Sequence, residues 1–80
     1  MATGFEWLPE KEFEIILDHS PATKFRVMEG VATRMFKSKI KQGLLGNVID
    51  CAKHGRVRSE DRADGSVRSF YRFTYRLSPS

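Results

Sequence analysis

The stretch from Val31 to Arg58 decides the predicted fold, and it reads VATRMFKSKIKQGLLGNVIDCAKHGRVR. It divides into the end of one helix (VATRMF), a basic connector (KSKIKQG), a second helical run (LLGNVIDCAKH) and a glycine before an arginine-bearing strand. In the second run, apolar residues recur at i, i+3, i+4 and i+7, which predicts a helix with one buried stripe, running from Gln42 to His54. The stripe consists of Leu45, Val48, Ile49 and Ala52.

The opposite side of this predicted helix is polar and partly basic. Such a helix suits the major groove of DNA, which is about 12 Å wide and admits one helix. Gly43 and Gly46 weaken the helix, each by up to about 1 kcal/mol, and Gly55 would end it in a left-handed conformation. The stretch therefore predicts a helix that contacts DNA.

Two more helices are predicted upstream. The first runs from Pro9 to Asp18, because proline suits the first turn of a helix and the acidic residues after it favour the positive N-terminus. The β-branched pair in FEIIL leaves a strand as the alternative for this segment. The second runs from Pro21 to Phe36, after the start signal Ser20-Pro21. Its apolar residues repeat at intervals of three and four, as in the stripe of a helix that packs on a core.

The C-terminal residues alternate with a period of two from Val67 to Leu77, which is typical of a half-buried strand with a basic outer face. Residues 56–60 provide a partner strand in a hairpin. A three-residue loop, Ala63–Gly65, places Gly65 at the left-handed position of a type I turn with a G1 bulge.

The register of this hairpin follows from the side chains that it brings together. The three-residue loop opposes Val57 to Tyr71 and Glu60 to Arg68. It is preferred to a two-residue loop because it pairs apolar with apolar and acid with base.

The composition favours one folded domain. The chain has 80 residues, of which 40% are hydrophobic and 30% charged, within the range of folded soluble proteins. We expect an N-terminal arm over residues 1–8 and a single domain over residues 9–80. No apolar run approaches the roughly 20 residues that cross a bilayer, and the acidic N-terminus does not have the pattern of a signal peptide. One cysteine cannot form an internal disulfide, so a cytoplasmic location is expected.

Charge is distributed unevenly along the chain. The net charge is +4 with a calculated pI of 9.6, and nearly all Lys and Arg residues follow Ser20, whereas the acidic residues dominate before it. A basic segment favours a polyanionic partner, most often nucleic acid. The alternative is a surface that only keeps the protein soluble.

No catalytic, metal or cofactor signature is present in the sequence. Cys51 is isolated, His19 and His54 have no Cys or His at metal-ligand spacing, and no Walker loop, GxSxG or HExxH motif occurs. We therefore expect no enzyme, no metal and no cofactor.

The predicted order of elements resembles the winged helix-turn-helix DNA-binding domains of small bacterial and phage regulators. The resemblance covers residues 9–77. It is strongest from VATRMF through SKIKQGLLGNVIDCAKHGRV, with RVRSEDRADGSVRSFYRFTYRL as the wing. It implies an α+β fold with three helices followed by a C-terminal β-hairpin wing.

The resemblance also implies which residues contact DNA. It places phosphate contacts in the connector, base contacts on the recognition helix and further contacts in the wing. Lys53 would flank the groove. The phosphate contacts would be Lys37, Lys39 and Lys41; the base contacts Gln42 and Asn47; and the wing contacts Arg58, Arg62 and Arg68.

Two classes of function follow. The first is a small sequence-specific protein that binds double-stranded DNA, a transcriptional regulator or an accessory recombination or replication factor of phage or plasmid type. We expect it to act as a homodimer, without a membrane partner. The second is a winged-helix protein-interaction module, an adaptor or an inhibitor of a host protein, that does not bind DNA.

Overall fold

The described part of the chain folds as one helix packed on a three-stranded sheet. The computed structural model describes residue 4 and residues 6–79. The elements are β1 (Lys11–His19), α1 (Phe25–Lys41), β2 (Val48–Asp61) and β3 (Val67–Leu77). The sheet is antiparallel with the strand order β1-β3-β2. The predicted fold of three helices and a C-terminal wing is therefore wrong, and the winged helix-turn-helix resemblance does not extend to the architecture.

The first predicted helix is a strand, so the alternative reading of FEIIL is the correct one. β1 pairs with β3 along its whole length, from Lys11 opposite Tyr75 to His19 opposite Val67. Every second side chain faces the helix, and Ile15 is buried in the core. β-branched side chains fit a pleated, half-buried surface. This packing outweighs the helix-start signals of Pro9 and the acidic residues after it.

α1 begins and ends later than predicted. Ser20 accepts a hydrogen bond from the Thr23 backbone N–H at 3.0 Å, and its Oγ accepts from the Ala22 N–H at 3.2 Å. Ser20-Pro21 therefore starts a turn, whose second position favours proline. The helix begins only at Phe25. It continues through the predicted connector to Lys41, because Ile40 still packs against the core.

Two glycines explain why residues 42–54 do not form the third predicted helix. Gly43 and Gly46 have φ values of 75° and 94°, in the left-handed region that ends a helix. They redirect the chain, and β2 starts at Val48. The residues of the predicted apolar stripe are not all buried: Leu45 packs against the core, whereas Ala52 is exposed on a strand.

The hairpin is predicted almost correctly. β3 has the predicted bounds, Glu60 lies opposite Arg68, and Gly65 has a φ of 87° and donates to Arg62 O at 3.0 Å. One pair is wrong, because Arg56 rather than Val57 lies opposite Tyr71. The register shifts between Arg56 and Arg58, as at a β-bulge, which inserts one extra residue.

Phe36 lies at the centre of the core. Its ring stacks on Phe73 with a centroid distance of 4.4 Å and an interplanar angle of 15°. Phe13 and Tyr75 flank it at 5.8 and 6.4 Å. Ala32, one turn earlier, has no exposed surface and lets the helix approach the sheet.

We expect the two turn glycines to differ in their tolerance of alanine. A left-handed conformation costs a non-glycine residue about 1–2 kcal/mol, so Gly43→Ala should lower the free energy of unfolding by about that amount. Gly46→Ala should cost more, because its Cβ would lie 3.2 Å from Leu77 Cδ2, whereas a Cβ at Gly43 meets nothing within 4 Å. Urea denaturation of both variants measures the difference. Equal losses would contradict the packing role of Gly46.

Candidate nucleic-acid interface

The two faces of the sheet carry different charge. On the face away from α1, which we call the open face, carboxylates and guanidinium groups nearly balance. The strand residues concerned are Glu12, Glu14, Asp18, Asp50, Glu60, Arg58, Arg68, Arg72 and Arg76. The helix side carries mostly cations, so the positive charge of the chain is concentrated there.

Asp18 binds two arginines of the hairpin. Arg68 donates from Nε to Oδ1 at 2.8 Å and from Nη2 to Oδ2 at 3.1 Å, and Arg62 donates to Oδ2 at 3.0 Å. The hydrogen bond from Arg68 is the main reason why the pKa of the Asp18 carboxyl lies below its usual value. A guanidinium that already binds a carboxylate in two places has its charge largely compensated, so an outside anion gains less from it.

Two more of the four open-face arginines, Arg76 and Arg58, are also engaged. Arg76 contacts Asp50 at 3.0 Å and Glu10 at 3.4 Å. Arg58 lies 3.4 Å from Glu60, and its guanidinium carbon is 4.0 Å from the centroid of the Phe70 ring. Three of the four open-face arginines are therefore held in internal contacts, whereas Arg72 forms no ion pair with a described residue.

α1 presents the opposite situation. With 3.6 residues per turn, its outward cations fall within about a quarter of the helix circumference and extend over about 22 Å of its axis. They are Arg26, Arg34, Lys37 and Lys41, which we call the basic row; all are exposed. None of them forms an ion pair with a carboxylate in the described part of the chain.

A groove of about 620 Å³ runs beside the basic row, between α1 and β2. Its lining includes Arg26, Glu29, Gly30, Arg34 and Lys53. Lys53 Nζ lies 3.2 Å from Glu29 Oε1, so these two charges largely compensate each other. Gly30 leaves the groove open, because a Cβ at this position would meet nothing within 4 Å. A glycine inside a helix lowers its stability by about 1 kcal/mol relative to alanine.

The structure brings together some of the predicted DNA contacts. Lys37 and Lys41 belong to the basic row, and Lys53 lies across the groove from it. Lys39 is on the same helix but about half a turn around from Lys37, and it is partly buried.

The predicted base contacts lie beyond the end of α1. Gln42 is the C-cap residue, and its Nε2 donates to Ser38 Oγ at 2.7 Å. Asn47 is exposed in the connection to β2, where its backbone carbonyl accepts a hydrogen bond from the Ser78 backbone N–H at 2.8 Å. Both amides are at the surface, but no recognition helix carries them.

The three predicted wing contacts are separate from the lysines. Arg58 and Arg68 project from the open face, and Arg62 lies in the hairpin turn, where it contacts Asp18 and, at 3.7 Å, Asp64. They do not form a continuous surface with the basic row.

Sequence reasoning missed Arg26 and Arg34. Their signal is the spacing i, i+8, i+11 and i+15 that they form with Lys37 and Lys41, which places all four on one side of a helix. This alignment can be recognised only if α1 continues to Lys41. The predicted helix ends at Phe36, so Lys37 and Lys41 fall outside it.

The histidines occupy structural positions. His19 is buried; its Nδ1 donates to Ser20 O at 2.9 Å, so in the neutral ring its Nε2 accepts from Ser69 Oγ at 2.8 Å. The arrangement resembles a nucleophile with its base, but Ser69 has no exposed surface that a substrate could reach. His54 Nε2 contacts Thr74 Oγ1 at 2.8 Å.

No group of three or more His, Cys, Asp or Glu side chains is arranged to hold a metal ion within residue 4 and residues 6–79. Over the same residues, no helix has the length and apolar character required to span a bilayer.

Comparison with known proteins adds no assignment: the chain matches no protein-family model, no curated protein and no solved structure. A function can therefore be inferred only from the charges and contacts of the described residues.

We expect Asp18→Asn to destabilise the protein at neutral pH more than Asp61→Asn does, because Asp61 forms no ion pair with a described residue. The lowered pKa of Asp18 in the folded state means that its contribution is present above about pH 4 and is lost as the pH falls through that lowered pKa. The difference in urea midpoint between wild type and Asp18→Asn should therefore shrink in acid. A difference that persists unchanged below pH 2 would contradict the electrostatic origin.

Proposed function

We propose that the protein binds double-stranded DNA through its sugar–phosphate backbone, with the basic row of α1 as the contact surface. The observation that carries this proposal is the row itself: Arg26, Arg34, Lys37 and Lys41 share one exposed side of a 17-residue helix without a carboxylate partner among the described residues. Cations that release the counterions of DNA supply most of the affinity of such contacts.

The distribution of charge also gives the binding a direction. Since three of the four arginines of the open face are paired with Asp18, Asp50 and Glu60, that face offers a polyanion less gain than the basic row. A duplex would therefore meet the protein from the helix side.

The aromatic residues favour a duplex over a single strand. Single-stranded nucleic acid is usually held by stacking of bases on exposed aromatic rings. Tyr71 and Phe73 are buried under α1, and Phe70 is buried beneath Arg58. Phe25 is partly exposed, but the Arg56 guanidinium covers its ring at 3.3 Å. The described strands therefore provide no stacking platform, and Trp7, which is 69% exposed, lies outside the sheet.

Sequence preference would come from the end of the helix. Gln42 follows Lys41 directly and Asn47 lies in the next loop, so both amides are candidates for base contacts beside the phosphate-binding row. A regulatory or accessory replication or recombination role, a homodimer and a cytoplasmic location form part of this proposal.

The test compares two double variants with the same loss of charge. Arg34→Gln with Lys37→Gln removes half of the basic row, whereas Arg58→Gln with Arg72→Gln removes two cations of the open face. We expect the first pair to lower the slope of log affinity against log salt by about 1.8, at about 0.9 per phosphate contact. The second pair should leave the slope nearly unchanged. Fluorescence anisotropy with a labelled random duplex across a salt series gives both slopes.

Three outcomes would contradict the proposal. They are no duplex binding by the wild-type protein at low salt, equal effects of the two double variants, and equally tight binding to poly-glutamate at the same ionic strength. The last result would point to an acidic protein as the partner of the basic row.

A further inference from the structure

We infer that one strand of the bound nucleic acid crosses α1 at Gly30, and that the absence of a side chain there admits its sugar–phosphate backbone into the groove between α1 and β2. The inference rests on the proposed function and specifies where on the basic row the closest contact is made.

Nothing in the fold itself requires glycine at this position. Gly30 is not among the glycines with positive φ, unlike Gly43 and Gly46. A Cβ at Gly30 would meet no atom within 4 Å, so the position is not needed for close packing either. The close approach of helix and sheet is provided by Ala32, on the opposite side of α1. A glycine that weakens a helix without serving the backbone or the core is explained by a ligand that approaches closely.

The groove provides the charge that a phosphate requires at this point. Arg26 and Arg34 stand one turn before and one turn after Gly30, each about 6 Å away along the axis. Both line the groove, and a guanidinium can bind a phosphate with two parallel hydrogen bonds. The one carboxylate in the lining, that of Glu29, lies against Lys53.

Thr33 completes the geometry of the site. Its Oγ1 donates to Glu29 O at 2.8 Å, which keeps this hydroxyl on the helix backbone. The opening above Gly30 is therefore bordered by the two long cations Arg26 and Arg34, with the Val27 side chain as a further part of its lining.

The experiment adds uncharged side chains at Gly30 and measures duplex affinity. Gly30→Leu should weaken binding about tenfold at fixed salt, equivalent to about 1.4 kcal/mol, while the salt slope stays close to that of the wild type because no charge changes. Ala52→Leu is the matched control, since Ala52 is an exposed residue on the opposite face of the sheet. It should change affinity less than twofold.

Gly30→Ala separates a blocked site from a damaged fold. Alanine is the better helix residue and meets no neighbour, so this variant should unfold at a higher temperature than the wild type. Its duplex affinity should nevertheless fall, by about threefold. Opposite changes in stability and binding cannot be produced by misfolding.

The outcomes distinguish this inference from the proposal beneath it. If Gly30→Leu and Gly30→Ala bind like the wild type while Arg34→Gln with Lys37→Gln binds weakly, the crossing point is wrong and the proposed function stands. If the wild-type protein does not bind a duplex at low salt, both fail.

Discussion

The stacking of Phe36 on Phe73 is the contact on which the rest of the structure depends. It attaches the only described helix to the central strand of the sheet, with Phe13 from one neighbour strand beside it. Once Phe36 points inward, the rotation of α1 about its axis is fixed, and Arg34 is turned towards solvent. The candidate interface is therefore a consequence of how one aromatic pair packs.

The parts of the fold that could be predicted are those in which local pattern and final environment agree. β3 is central and alternates apart from Phe70 and Thr74, which are buried on the open face, and its turn places Gly65 in the left-handed conformation that favours glycine. Residues 42–54 could not be predicted in the same way, because their apolar spacing fits a helix while Gly43 and Gly46 stop one. In β1, pairing with residues that lie 48 (His19 to Val67) to 64 (Lys11 to Tyr75) positions further along the chain outweighs the local signals for a helix.

The candidate site was predictable to a similar extent. The lysines of KSKIKQG were identified as anion contacts, but their alignment with Arg26 and Arg34 depends on the true end of α1. The prediction that Arg68, Arg72 and Arg76 share one face of β3 is correct. The sequence does not show that Arg68 forms an ion pair, because Asp18 lies next to Arg68 only when β1 pairs with β3. Long-range pairing thus determines which cations are free.

The separation of charge between the two sides of the sheet also has a kinetic consequence. A molecule with cations on one side and balanced charge on the other has a large electric dipole moment. In the field of a polyanion it would rotate before contact, so that productive encounters become more frequent than random collisions allow. The separation of charge should therefore raise the association rate constant as well as the equilibrium affinity.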